Sequence, residues 1–273
     1  MAQDTEAKAI GSLIYRQSMW TRLTHWVWAV CLFFLMLTGL QIFNAHPSLH
    51  IGAESGFDYD NAILQIGARQ TGDGVVGFTR IFGREYDTTG YLGVSGDAVR
   101  AFPAALTVPS FQSLATGRVI HFFFAWILVG TLLIWLVASA LNGHLRRDLA
   151  LRLADLRALP ADIANHARLR FHHGRRYNVL QKLAYAGVLF GLLPLMILTG
   201  LTMSPGFNAR APFLLDLFGG RQTARTLHFV TMLGLIGFFG IHMLMILAAG
   251  PLNELRSIIT GWYRIDPARD EET

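Results

Sequence analysis

Four stretches of this chain carry no Asp, Glu, Lys or Arg: 23–53, 119–145, 183–209 and 226–253. Each exceeds the ~20 residues that an α-helix needs to cross ~30 Å of hydrocarbon at ~1.5 Å per residue. One such stretch could be a core helix of a soluble protein. Four of them, none with a charged face, leave a soluble fold nothing to show to water. Charged residues make up only 15% of the chain, against about 25% in soluble domains. The expected fold is therefore an all-α membrane protein, a four-transmembrane-helix bundle with spans at about 22–43, 119–141, 182–203 and 225–248.

Charge sets the expected orientation. The connection 146–182 holds nine Arg or Lys against three acids, so the cytoplasmic loop is expected over 142–181, with both termini on the same side. Counted over all segments, 15 basic residues fall inside and 8 outside, the full 23. The basic pI thus follows from topology and needs no nucleic acid. A polar stretch precedes the first span and no small-residue cleavage site follows it, so that span is expected to stay as an anchor. The outer loop 44–117, between helices 1 and 2, is long and glycine-rich. It reads either as a surface loop of mixed structure or as a platform for another protein.

Ten histidines occur, of which four lie in the spans: His25, His121, His228 and His242. An ionisable side chain in a membrane is by default a functional candidate. Depth sorts these four into pairs. His121 and His228 lie near the outer edge, His25 and His242 near the inner edge. His228 and His242 are fourteen residues apart on one helix, about 3.9 turns and ~21 Å, so they share a face at opposite depths. Two histidines from different helices at one level can serve as axial ligands of a haem b, which needs no covalent attachment. Two such pairs make two haem b groups. Isolated His pairs without carboxylate or thiol would be poor zinc sites. The lone Cys31 excludes a disulfide framework, a Cys-ligated iron–sulfur cluster and a covalent haem motif.

Arg22, Arg118 and Arg225 each precede one of these histidines by three residues. That puts each arginine on the histidine's face, one turn nearer water, where a guanidinium could pair with haem propionates. Snorkelling at a helix end is the alternative. A weak internal echo also runs through the chain. "LMLTGL" (35–40) matches "MILTGL" (196–201), and "RVIHFF" (118–123) matches "RTLHFV" (225–230). It reads as a repeated helical hairpin, or as a shared need for small residues in helix packing. Met232 and Met243 read as core fillers, and His46 and His50 as outer-loop residues.

The run "RLTHWVWAVCLFFLMLTGLQIF" (22–43) resembles the first helix of bacterial di-haem cytochrome b subunits. These serve membrane-bound nickel–iron hydrogenases, respiratory formate dehydrogenases and thiosulfate-reductase-type enzymes. The resemblance covers roughly 16–203 and 221–262. "HPSLHIG" and "GRVIHFFFAW" look closest to the thiosulfate-reductase type. The ligand set it implies is single histidines on helices 1 and 2 and a pair on helix 4, which His25, His121, His228 and His242 match. The entry to helix 3, "RRYNVLQKLAY" (175–185), is similar to a Tyr-Asn-x-Gly-Gln-Lys run in the formate-dehydrogenase type, beside a quinone site. Tyr177, Asn178, Gln181 and Lys182 match, while Leu180 replaces the glycine. Asn178, Gln181 and Lys182 also form a plausible polar pocket for a quinone carbonyl on their own spacing.

The resulting expectation is a di-haem b cytochrome in a bacterial inner (plasma) membrane. It would move electrons between the quinone pool and a periplasmic oxidoreductase of molybdopterin, iron–sulfur or nickel–iron type, with little chemistry of its own. One rival is a stand-alone quinone-linked oxidase of a small outer donor such as superoxide. Another is a non-haem transporter or anchor.

Overall fold

The structure, a computed structural model, describes residues 13–56, 59–72, 74–143, 145, 153–167 and 179–264. Four of its helices are long and apolar enough to cross a membrane: α1 (Met19–Phe43), α2 (Leu114–Leu141), α4 (Val179–Thr202) and α5 (Arg221–Ala249). A polar helix α3 (Leu153–Ala167) lies between α2 and α4, and α6 (Pro251–Thr260) follows α5. Phe33, Phe123, Trp126, Ile134, Phe239 and Leu244 stand exposed along the spans. Lipid is the solvent that such surfaces require.

The membrane-length helices start a turn earlier than the apolar stretches suggest, because polar caps sit upstream of the last charge. Ser18 Oγ accepts the backbone N–H of Thr21 at 3.1 Å, and Ser113 Oγ that of Thr116 at 3.3 Å. Both occupy the N-cap position, where a hydroxyl satisfies an orphan amide. For α4 the cap comes from another helix: Asp162 Oδ2 of α3 accepts the N–H of Val179 at 2.9 Å. Within α4 the segment Gly187–Leu192 widens into π-helix. Pro194 explains it, since proline offers no N–H and crowds the preceding turn.

The described residues form two compact units. One comprises Trp28–Leu132 and Leu192–Gly234. Here the segment 44–117 is not a loop but a small β module, so the fold is mainly helical with β structure rather than all-α. Strands β2 (Ser48–His50), β3 (Ala62–Thr71), β4 (Gly74–Ile81) and β5 (Arg84–Asp87) form an antiparallel sheet in that order. β6 (Gly93–Ser95) and β7 (Ala98–Arg100) form a separate hairpin. Glycine permits the layers to cross. A Cβ on Gly93 would stand 2.1 Å from the Gly67 carbonyl oxygen, and one on Gly77 would stand 2.4 Å from that of Leu92.

A buried arginine ties this module to α1. Arg100 is 6% exposed and has no carboxylate partner among the described residues. Its guanidinium donates instead to the carbonyls of Phe102 and Ser110, both at 2.7 Å. It also donates to Thr107 Oγ1 at 2.8 Å and to Gln41 Oε1 of α1 at 3.2 Å. Burial lowers its pKa, as desolvation disfavours the charged form. Phe43, Leu49, Ile66 and Ala101 form the apolar core beneath the sheet, with Phe102 and Phe229 packed against it.

The other unit comprises the described parts of Met1–Val27, Leu133–Gly191 and Leu235–Thr273. Strand β1 (Leu13–Tyr15) pairs antiparallel with β8 (Trp262–Arg264), joining the two ends of the described chain. Gly261, at φ +90°, makes the corner. A Cβ there would approach the Tyr15 ring to 2.6 Å, and its carbonyl accepts the amides of Arg16 and Gln17 at 2.8 and 3.2 Å.

Candidate functional site

His121 on α2 and His228 on α5 lie in the unit that carries the sheet. Their ring centroids are 6.5 Å apart, with ring planes at 57°. Each ring is held by a threonine from a neighbouring helix. Thr38 Oγ1 of α1 lies 2.9 Å from His121 Nδ1, and Thr199 Oγ1 of α4 lies 3.1 Å from His228 Nδ1. Both threonines are 0% exposed. The glycine after each one faces the same ring. A Cβ on Gly39 would lie 3.7 Å from His121 Cε1, and one on Gly200 would lie 3.3 Å from His228 Cε1.

His25 on α1 and His242 on α5 lie in the unit that carries the termini. Their centroids are also 6.5 Å apart, with planes at 53°. The support differs. His25 meets Trp26 edge-on at 5.4 Å, and His242 stacks on Phe238 at 5.9 Å and 11°. His25 Nδ1 is buried without a hydrogen-bond partner among the described residues.

Both separations suit one metal ion between two imidazoles. Metal–imidazole bonds of about 2.0–2.1 Å in a line put the centroids about 6.3–6.5 Å apart. A direct hydrogen bond between two imidazole nitrogens would bring the rings about 1 Å closer. No group of three or more His, Cys, Asp or Glu able to hold a metal occurs among the described residues. Each site therefore offers two nitrogens and nothing else, a donor set that suits an iron whose other four positions a porphyrin fills.

The arginines are not equivalent. Arg225 on α5 donates to the Ser48 carbonyl at 2.9 Å and to the His46 carbonyl, and its guanidinium lies over Phe43 at 5.6 Å. Thr226 next to it donates to the His50 carbonyl at 2.7 Å. Together these residues strap the chain 46–50 across the first turns of α5. Arg22 gives Nη1 to the Ile259 carbonyl of α6 at 2.8 Å, while its Nε is buried without a partner among the described residues. Arg118 is exposed, over Phe122 at 5.8 Å.

Of the residues expected at a quinone, Asn178 lies outside the described residues, as does Tyr177. Gln181 is half-buried on α4. Lys182 Nζ is engaged by Asp155 of α3 at 3.2 Å, both side chains mostly buried. His46 and His50 face one another at 5.8 Å in the sheet unit. Burial, then the nearby Arg225 charge, lowers both pKa values. Sequence reasoning missed Thr38, Gly39, Thr199 and Gly200 as neighbours of the histidines. The repeated "LTGL" was the signal for them.

Residues 151–261 match the family model of prokaryotic cytochrome b561. Over 229 residues, 83% of this chain and 87% of the relative, the sequence is 25% identical to the "Putative protein-methionine-sulfoxide reductase subunit YedZ1" of Azospira oryzae.

Proposed function

We propose that this bacterial membrane cytochrome b holds two haem b groups, one between His121 and His228 and one between His25 and His242, in a four-helix bundle. Through them it moves electrons between the quinone pool and a periplasmic oxidoreductase. The observation that carries the reading is the matching 6.5 Å separation of two histidine pairs, one in each unit of the fold. A haem bound there supplies one-electron exchange at its iron.

The protein's part is to present nitrogen lone pairs, bury the sites and fix ring orientation. At the sheet-bearing site, threonine hydroxyls fix the rings. At the terminus-bearing site, ring packing against Trp26 and Phe238 does so. Arg22, with a buried Nε awaiting an acceptor, and Arg118, exposed above His121, are assigned to propionates. Arg225 is assigned to the same role through the nitrogen that its backbone partners do not use, since a guanidinium carries five donors.

The quinone end is assigned to Gln181 and Lys182, in the same unit as His25 and His242, with Asn178 beside them in sequence. Lys182 would act as half of its pair with Asp155. An ammonium has three donors, so that pair leaves capacity for a carbonyl. The excess of basic residues in 146–182 supports a cytoplasmic position for this end and for both termini. The β module of 44–117 then faces outward, where the partner docks. The name of the Azospira oryzae relative, a reductase subunit, supports a subunit role over a self-contained enzyme.

A visible spectrum of the chain purified in mild detergent tests this directly. Two haems per chain and a Soret band that shifts on dithionite reduction are expected. A preparation from a haem-replete host with no such band would leave the histidines as packing residues and the chain as a transporter or anchor.

A further inference from the structure

The repeated "LTGL" has the same structural meaning in both copies. Thr38–Gly39 on α1 faces His121 of α2, and Thr199–Gly200 on α4 faces His228 of α5. Each threonine hydroxyl has one proton and three neighbours within reach, two carbonyls of its own helix and the imidazole Nδ1. Thr38 Oγ1 lies 2.6 Å from the Phe34 carbonyl, and Thr199 Oγ1 lies 2.6 Å from the Leu195 carbonyl. A carbonyl oxygen can only accept, so at that distance the hydroxyl proton is committed to it. Towards the histidine the hydroxyl therefore accepts, and Nδ1 must carry the hydrogen. The other ring nitrogen, Nε2, is left with its lone pair. That is the tautomer a metal-ligating imidazole requires.

We propose that the two Thr–Gly pairs are histidine sockets, in which the threonine hydroxyl accepts from Nδ1–H and so supports the tautomer and electron donation of each ligand, and in which Gly200 makes room for the His228 ring. This rests on the haem reading above. Thr38 and Thr199 are positioning residues, acting on the iron through His121 and His228. A hydrogen bond donated from Nδ1–H makes the imidazole a stronger donor, which favours the ferric over the ferrous state. The sockets serve only the site in the sheet-bearing unit. The register that aligns Thr38 with Thr199 sets Ala186 opposite His25, and the register that aligns His121 with His228 sets Trp135 opposite His242. The second histidine pair has no repeat.

Hydroxyls that bond back along their own helix are common in membrane helices, so a purely structural role must be separated from tuning. The test is a reductive titration of the full-length chain, as wild type and as Thr38→Val, Thr199→Val, Thr38→Ser and Thr199→Ser. In each valine variant the haem at His121 and His228 becomes easier to reduce. Its ferrous-to-ferric ratio at the wild-type midpoint rises roughly threefold to tenfold. The other haem holds its midpoint, and each serine variant returns the wild-type ratio. Should a valine variant lose haem, loss confined to this site with retention in the serine variant also supports the socket. Unchanged midpoints, equal movement or equal loss at both haems, or serine that fails to restore would overturn it with the proposed function intact. A wild-type chain that binds no haem sinks both.

Discussion

The two histidine pairs have the same separation but different means of holding it. At His121 and His228, hydrogen bonds to the hydroxyls of Thr38 and Thr199 fix both rings, and a glycine lies beside each. At His25 and His242 the neighbours are aromatic, and His25 Nδ1 has no partner among the described residues. One site is specified by directional bonds, which set rotation and tautomer together. The other is specified by shape, which sets rotation alone. The difference teaches that equal ring spacing does not make equal sites, because the groups one step behind the rings differ in kind.

Alanine at His228 or His242 breaks the comparison most severely. Each change should reduce haem content from two per chain to one, measured as pyridine haemochrome. The remaining spectrum should belong to the untouched pair. A variant that keeps both haems would dissolve the pairing.

Arg100→Met comes next. It removes every bond from the buried guanidinium to Gln41, Phe102, Thr107 and Ser110. Leaving the buried Gln41 and Thr107 oxygens without this donor should cost about 3 kcal/mol. In a thermal melt followed by Soret absorbance, the haem at His121 and His228 should be released first and the other later, because only the former shares a unit with Arg100. Release of both together would mean that the two units melt as one.

The glycines sharpen the comparison within the sheet-bearing site. A Cβ at position 200 would press on His228 Cε1 at 3.3 Å, whereas one at position 39 would sit at an ordinary 3.7 Å from His121. Gly200→Ala should destabilise this site by about 1–2 kcal/mol through overpacking, and Gly39→Ala by less than about 1 kcal/mol. Haem retention on dilution in detergent would rank them, and the reverse order would refute the contact geometry.

Acidification gives the smallest effect. His46 and His50 have pKa values lowered by burial and by Arg225, with Asp60 partly opposing this at His50. A folded pKa below the unfolded 6.5 means that the unfolded chain binds more protons in that window. Stability is therefore full above pH 6.5 and is lost as pH falls through the folded values. Melting of the sheet-bearing unit should shift down between pH 7 and pH 5, and His46→Gln with His50→Gln should flatten that dependence.

Much of this was legible in the chain. The charge-free stretches marked four helices because a membrane tolerates no other exposed surface there. Depth alone paired His121 with His228 and His25 with His242, and the structure brings the rings of each pair to 6.5 Å. The β module was hidden by its glycines. Gly67, Gly72, Gly74, Gly77 and Gly83 read as loop punctuation, yet "GDG" at 72–74 between two apolar runs is also a hairpin signal, and β3 and β4 turn there. The partners of Arg22 and Arg225 were not legible. They are carbonyls distant in sequence, Ile259, His46 and Ser48, which no local pattern announces.

Each histidine pair draws its second member from α5, the last of the membrane-length helices among the described residues. During synthesis, His25 and His121 enter the membrane long before their partners leave the ribosome. Neither pair is complete until the final helix joins the first three. Cofactor loading would then follow assembly and could not precede it. A chain stalled after α4 would carry two half-sites and no redox-active iron, so an unfinished copy could not leak electrons into the cell.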